Sequence, residues 1–180
     1  MNYTTKRIIL GIFAPSMKTI KPVLIFTPFI MLLLLQWHVC FAQETDRKSF
    51  YEALGSNNLN TINKQLAELE NVDGKLREAY EGALMMKKAG LLNGVGKKLK
   101  EFNAGKEKLE NSLQNDPGNT EFRFLRLMIQ ENAPAILGYS GKLESDHTYL
   151  RKNYKTLPSS VQQVVLNYSK TSKILKPSDF

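Results

Sequence analysis

Between residues 50 and 168, apolar side chains return at steps of three and four, and no run alternates strictly between apolar and polar. That spacing puts them on one face of successive helices, whereas a half-buried strand needs a period of two. The expected fold is therefore all-α, with about seven helices in antiparallel hairpins. Phe50, Tyr51 and Leu54 mark a first short helix closed by Gly55. Leu59, Ile62, Leu66 and Leu69 mark a second, entered through Ser56-Asn57-Asn58. Asp73-Gly74 opens a third, with Leu76, Tyr80, Ala83 and Leu84. Val95, Leu99, Phe102, Leu109 and Leu113 form the stripe of a fourth, with Lys106 at the missing step and Gly105 beside it. Asn115-Asp116-Pro117-Gly118 ends it, because proline disfavours helical geometry in the residue before it. Asn119 is placed to cap a fifth helix over residues 120–132. Leu143, His147, Leu150 and Tyr154 define a sixth. Pro158 and the capping-box pattern Ser159-x-x-Gln162 open a seventh, carrying Val161, Val164, Val165 and Tyr168. Residues 171–180 are expected to be a flexible tail, so the helical domain runs over 43–170.

The fifth helix is the most apolar of these. Phe122, Phe124, Leu125, Leu127, Met128 and Ile129 leave only Arg123, Arg126 and Gln130 as a polar stripe. A helix apolar nearly all round is buried on several sides, which makes this one the central element. Its arginines then need carboxylates, with Glu78, Glu81 and Glu110 as candidates. Alternatively they line a groove that grips a ligand carboxylate or a peptide C-terminus, for which a guanidinium fork is suited. Arg123, Arg126 and Gln130 are accordingly binding candidates.

The N-terminal part has a different character. Residues 23–39 read VLIFTPFIMLLLLQWHV, 17 residues without a charge, preceded by Lys18 and Lys21. Cys40-Phe41-Ala42 follows, with small residues at the two positions that signal peptidase reads, then the polar Gln43-Glu44-Thr45-Asp46. A basic start, an apolar middle and that ending describe an export signal over residues 1–42, cleaved between Ala42 and Gln43. A start at Met17 gives a signal of ordinary length, and residues 1–16 are then assigned no role. The alternative is an uncleaved 23–39 anchor, because 17 apolar residues nearly reach the roughly 20 that span a bilayer. The expected location is the periplasm or outside the cell.

Export changes the chemistry available. The first 42 residues hold four basic side chains, no acidic one, and the only Cys and Trp of the chain. The 25 basic and 17 acidic residues of the whole become 21 against 17 after cleavage, a net +4. A thiol nucleophile and a disulfide framework are then excluded, and one histidine, His147, remains. His147, with Glu144 and Asp146 nearby, is the natural acid/base candidate for a small hydrolase or lyase. It occupies a core-type step between Leu143 and Leu150, however, and no G-x-S-x-G, H-E-x-x-H or phosphate-loop spacing accompanies it. No catalytic residue, cofactor or metal is expected. Lys87, Lys88, Lys97, Lys98, Lys100, Lys106 and Lys108 face only Glu101 and Glu107 over residues 87–108. Such a run is a solvated helix face or an anion-binding one, and Lys97, Lys98 and Lys100 are the candidates for contact with an anionic envelope surface. Nucleic acid is not an expected partner of an exported chain with so modest a charge.

Tyr51-Glu52-Ala53-Leu54 recurs loosely as Tyr80-Glu81-Gly82-Ala83-Leu84. Residues 102–119, FNAGKEKLENSLQNDPGN, resemble the second helix and exit turn of a tetratricopeptide repeat through Ala104, Leu109, Leu113, Asp116, Pro117 and Asn119. Ala79, Tyr80 and Ala83 fit the matching first helix, so the resemblance covers residues from about 76 to 119, without a regular 34-residue period. It implies stacked hairpins that bind a protein or peptide and supplies no catalytic residues. The chain is thus expected to be an exported, non-enzymatic interaction module, with envelope-surface binding and His147 chemistry as the alternatives. N-terminal sequencing of the exported protein is expected to begin at Gln43; a terminus upstream of it contradicts the cleavage site.

Overall fold

The computed structural model describes residues 47–72 and 74–180. The expected export signal over residues 1–42, with Met17, the 23–39 segment and the Ala42–Gln43 junction, and Asp73 lie outside the described residues. Seven α-helices and no strand occur among those described: α1 (47–55), α2 (Leu59–Glu68), α3 (Gly74–Leu91), α4 (Val95–Asn115), α5 (Thr120–Asn132), α6 (Leu143–Asn153) and α7 (Ser159–Ser169). The local signals explain most of the boundaries. Asn58 Oδ1 accepts from the Asn60 and Thr61 amides at 2.8 and 3.3 Å, satisfying donors that the first turn of α2 leaves free. Asn119 Oδ1 does the same for the Phe122 amide of α5 at 3.1 Å. The capping box expected at α7 does not form. Ser159 is already the first helical residue, Pro158 occupies the cap position, and Gln162 Nε2 donates instead to the Leu157 carbonyl at 2.8 Å.

The α3–α4 hairpin is the most closely packed pair. Its helices are antiparallel, with Glu81 of α3 bonded to Lys108 of α4 at 2.8 Å and Lys88 paired with Glu101 at 3.2 Å. Midway along, the helices meet backbone to backbone. A Cβ on Gly82 would stand 2.7 Å from the Gly105 carbonyl oxygen, and one on Gly105 would stand 2.6 Å from the Gly82 oxygen and 2.9 Å from the Met86 nitrogen. No side chain fits there. Around this contact the core gathers Tyr80, Leu84, Leu109 and Leu113 from the hairpin.

Helix α5 lies against it and buries Phe122, Phe124, Leu125 and Leu127, the central place its composition implied. Glu121, in its first turn, is also buried. Its Oε1 accepts from the Tyr51 hydroxyl at 3.1 Å and from the Tyr80 hydroxyl, so the tyrosines of the two loosely repeated segments converge on one carboxylate. Arg47 Nε approaches the other oxygen at 3.4 Å, and the Phe50 ring stacks on Tyr80 with centroids 3.6 Å apart. Burial, and next the Glu121 charge, hold both tyrosine hydroxyls well above their ordinary range, so they remain donors.

Residues 171–180 depart from the expected flexible tail. They fold back onto the domain because three groups converge on Glu131 of α5: the Tyr168 hydroxyl at 2.8 Å, Ser172 Oγ at 2.7 Å and the Lys173 amide. Leu175 is thereby buried, and the Phe180 ring packs on Tyr154. Asp179 accepts from the Lys176 amide at 2.8 Å and faces Arg151 and His147 at 3.3 and 3.4 Å. Partial burial works against its charge, yet these donors together hold its carboxyl below the ordinary value.

The glycine contact yields a paired expectation. Gly105→Ala should force the hairpin apart and cost about 1–3 kcal/mol or more, as overpacking of a tight core does. Gly96→Ala, where an added Cβ meets nothing within 4 Å, should be neutral or stabilise by about 0.5–1 kcal/mol. Urea denaturation of the two variants checks both.

Candidate functional site

The polar stripe of α5 faces α6. Arg126 is buried, and its Nε and one terminal nitrogen grip the two oxygens of Asp146 at 2.6 and 2.9 Å. Its other terminal nitrogen bonds Glu110 of α4 at 2.8 Å. Arg123 adds a bond to Asp146 at 3.0 Å, donates to the Pro117 carbonyl at 2.8 Å, and lays its guanidinium 4.2 Å from the Tyr149 ring centroid. Glu110 also accepts from the Tyr139 hydroxyl at 2.6 Å. Burial opposes the Arg126 charge, but the carboxylates outweigh it and hold the guanidinium above its ordinary range. Every nitrogen of Arg126 is thus engaged inside the protein. Gln130, one turn further on, is buried, and its Oε1 has no hydrogen-bond partner among the described residues.

His147 sits beside this network on α6, its Nε2 3.4 Å from Asp179 and its Nδ1 3.9 Å from Glu144. Both ring nitrogens face carboxylates. Among the described residues, no three His, Cys, Asp or Glu side chains are placed to share a metal ion, and no helix is long and apolar enough to cross a membrane.

A groove opens at the far end of the α3–α4 hairpin. Its volume is about 610 Å³. Met86, Ala89, Gly90 and Leu91 at the end of α3 form one side of it. Val95, Lys98, Leu99 and Phe102 line it from α4. Ile129, Ala133, Pro134, Ile136 and Leu137 close it from the end of α5 and the segment beyond. Gly94, at φ +86°, makes the sharp turn between α3 and α4 that a side chain would strain. Pro134 and the left-handed Gly138 flank a 3-10 turn, Ala135–Leu137, that leaves Ile136 94% exposed. Val95 is 81% and Leu99 45% exposed. These are the exposed large aliphatic residues among the described positions, and all three line this one groove.

Of the three lysine candidates, Lys98 lines the groove, its Nζ 3.3 Å from the Gly90 carbonyl oxygen. Lys97 and Lys100 are exposed on other faces of α4, since a helix turns about 100° per residue. Lys87 is the second groove cation, donating to Asn57 at 3.0 Å. The expected fourth stripe therefore divides: Phe102, Leu109 and Leu113 enter the core, while Val95 and Leu99 face solvent. Periodicity does not mark Ile136; an isoleucine between Pro134 and Gly138, where a loop is polar by default, is its one sequence signal. Comparison of the chain with protein-family models, curated proteins and solved structures finds no match.

The arginine network supplies a stability expectation. Asp146→Ala leaves a buried guanidinium short of its main partner and should cost about 3–5 kcal/mol. Replacing Arg126 and Asp146 together by Met and Leu should recover part of that loss, because the two most buried charges leave together while Glu110 keeps the Tyr139 hydroxyl and Arg123 the Pro117 carbonyl. Chemical denaturation of the single and double variants separates the two effects.

Proposed function

We propose that the protein is an exported, non-enzymatic helical module that binds a protein or peptide partner in the groove between the α3–α4 hairpin and residues 129–137. One observation carries this reading: Val95, Leu99 and Ile136, apolar and solvent-exposed, sit around the same concave surface. Exposed aliphatic side chains scattered singly need no explanation, but a set gathered on a groove with an apolar floor is the pattern of an interaction site. The export signal read in residues 1–42 and the resemblance of residues 76–119 to a tetratricopeptide hairpin support the same reading. Arg123 and Arg126 serve the fold in this proposal, and His147 has no catalytic role.

A photo-crosslinking amino acid at position 99 or 136 of the exported protein tests it. A discrete adduct with a peptide or protein partner is expected from both positions, and none from the exposed Gln163 on α7. Equal labelling from all three positions counts against the groove.

A further inference from the structure

The charges around the groove narrow the occupant. Lys87 and Lys98 line it, and no Asp or Glu does. Glu101, the nearest acid along α4, is paired with Lys88. Lys106 continues the cationic side one turn past Phe102, its Nζ 5.1 Å from the Tyr139 ring centroid. We propose that the groove takes an acidic amphipathic helix of a partner protein, its apolar stripe entering between Leu99 and Ile136 and its carboxylates meeting Lys87 and Lys98. This rests on the groove being the binding face proposed above.

Shape and charge together favour this occupant. A single acyl chain sunk against Met86 and Phe102 would leave Val95 and Ile136 bare on the lips. A flat bilayer resting on those lips would leave the floor between them unfilled. A second copy of this chain would bring its own Lys87 and Lys98 against their equivalents. A helix is about 10–12 Å across with its side chains, presents a ridge every three or four residues, and fills floor and lips at once. Val95, Leu99 and Phe102 keep that same spacing along α4. Carboxylates beside the ridge then find cations that have no acidic partner within the groove, which sets the direction of approach as well as the choice of partner.

Three fluorescent helical peptides of about 15 residues test this by anisotropy on the full chain, all with one leucine stripe and with Glu, Gln or Lys on the polar face. The Glu peptide is expected to bind most tightly, by roughly tenfold over the Lys peptide, with an affinity that falls as salt rises. Lys87→Glu/Lys98→Glu should reverse the order. Lys87→Gln/Lys98→Gln, which removes the charges and keeps polar side chains, should level it, and unchanged melting certifies both variants. Ile136→Ser/Val95→Ser should abolish binding of every peptide. Equal binding of the Glu and Lys peptides overturns the acidic partner while leaving a helix-binding groove. No peptide binding, together with no crosslink from position 99, overturns the groove reading itself. Vesicles of phosphatidylglycerol or a concentration-dependent dimer, if either is lost in Ile136→Ser/Val95→Ser while the peptides stay unbound, overturn the proposal in favour of a lipid surface or a second copy.

Discussion

A guanidinium taken out of water must be met by carboxylates, and Arg126 imposes that requirement at the centre of the domain. Asp146 answers it from α6 and Glu110 from α4, so one side chain ties three helices through charge-assisted bonds of 2.6 to 2.9 Å. Replacing such a pair by apolar residues is often harmless to stability, but leaving one member alone is not. The arrangement therefore fixes which helices are neighbours more than how strongly they are held. Arg123 adds a further bond to Asp146 and Tyr139 one to Glu110, while the Tyr149 ring of α6 lies against the Arg123 guanidinium, which gives α6 one azimuth against α5. Glu121 and Glu131 work similarly at the two ends of α5, the first gathering α1 and α3, the second gathering α7 and the C-terminal residues.

The hairpin is organised by a different force. At Gly82 and Gly105 there is no side chain to interpose, so α3 and α4 approach until backbone meets backbone. With that crossing fixed, the start of α4 lies opposite the end of α5, and the space between them is the groove. The apolar residues there are not a failed core. They belong to helix turns whose inward neighbours, Met86 and Phe102, are already packed.

Helix positions were readable because periodicity, caps and the Asp116-Pro117-Gly118 stop are local. What those helices meet was not. Val95 and Leu99 share a stripe with Phe102, and periodicity defines a face without saying whether protein or water lies opposite. Asp146 stood next to His147 in sequence and was grouped with it, while its true partners lie 20 and 23 residues away. Of the acids expected for the arginines, Glu110 does bond Arg126, while Glu81 is taken by Lys108. The fate of residues 171–180 was hidden by their polar composition: one leucine, Leu175, and a carboxylate on a distant helix decide it. Ile136 lay in a short loop where no period exists to be read.

Sequence separation also orders how the domain comes together. The α3–α4 hairpin closes over a connection of three residues, 92–94, and its glycine contact joins positions 23 apart, so its loop-closure entropy is small. Helix α1 is held instead through Tyr51 and Glu121, 70 residues apart, on a surface that α3 and α5 form together. The hairpin is thus the natural early unit and α1 the late one. Because the bonds that hold α1 lie away from the glycine crossing, a local opening of α1 would expose Phe50 and Tyr80 without dismantling the hairpin or its groove.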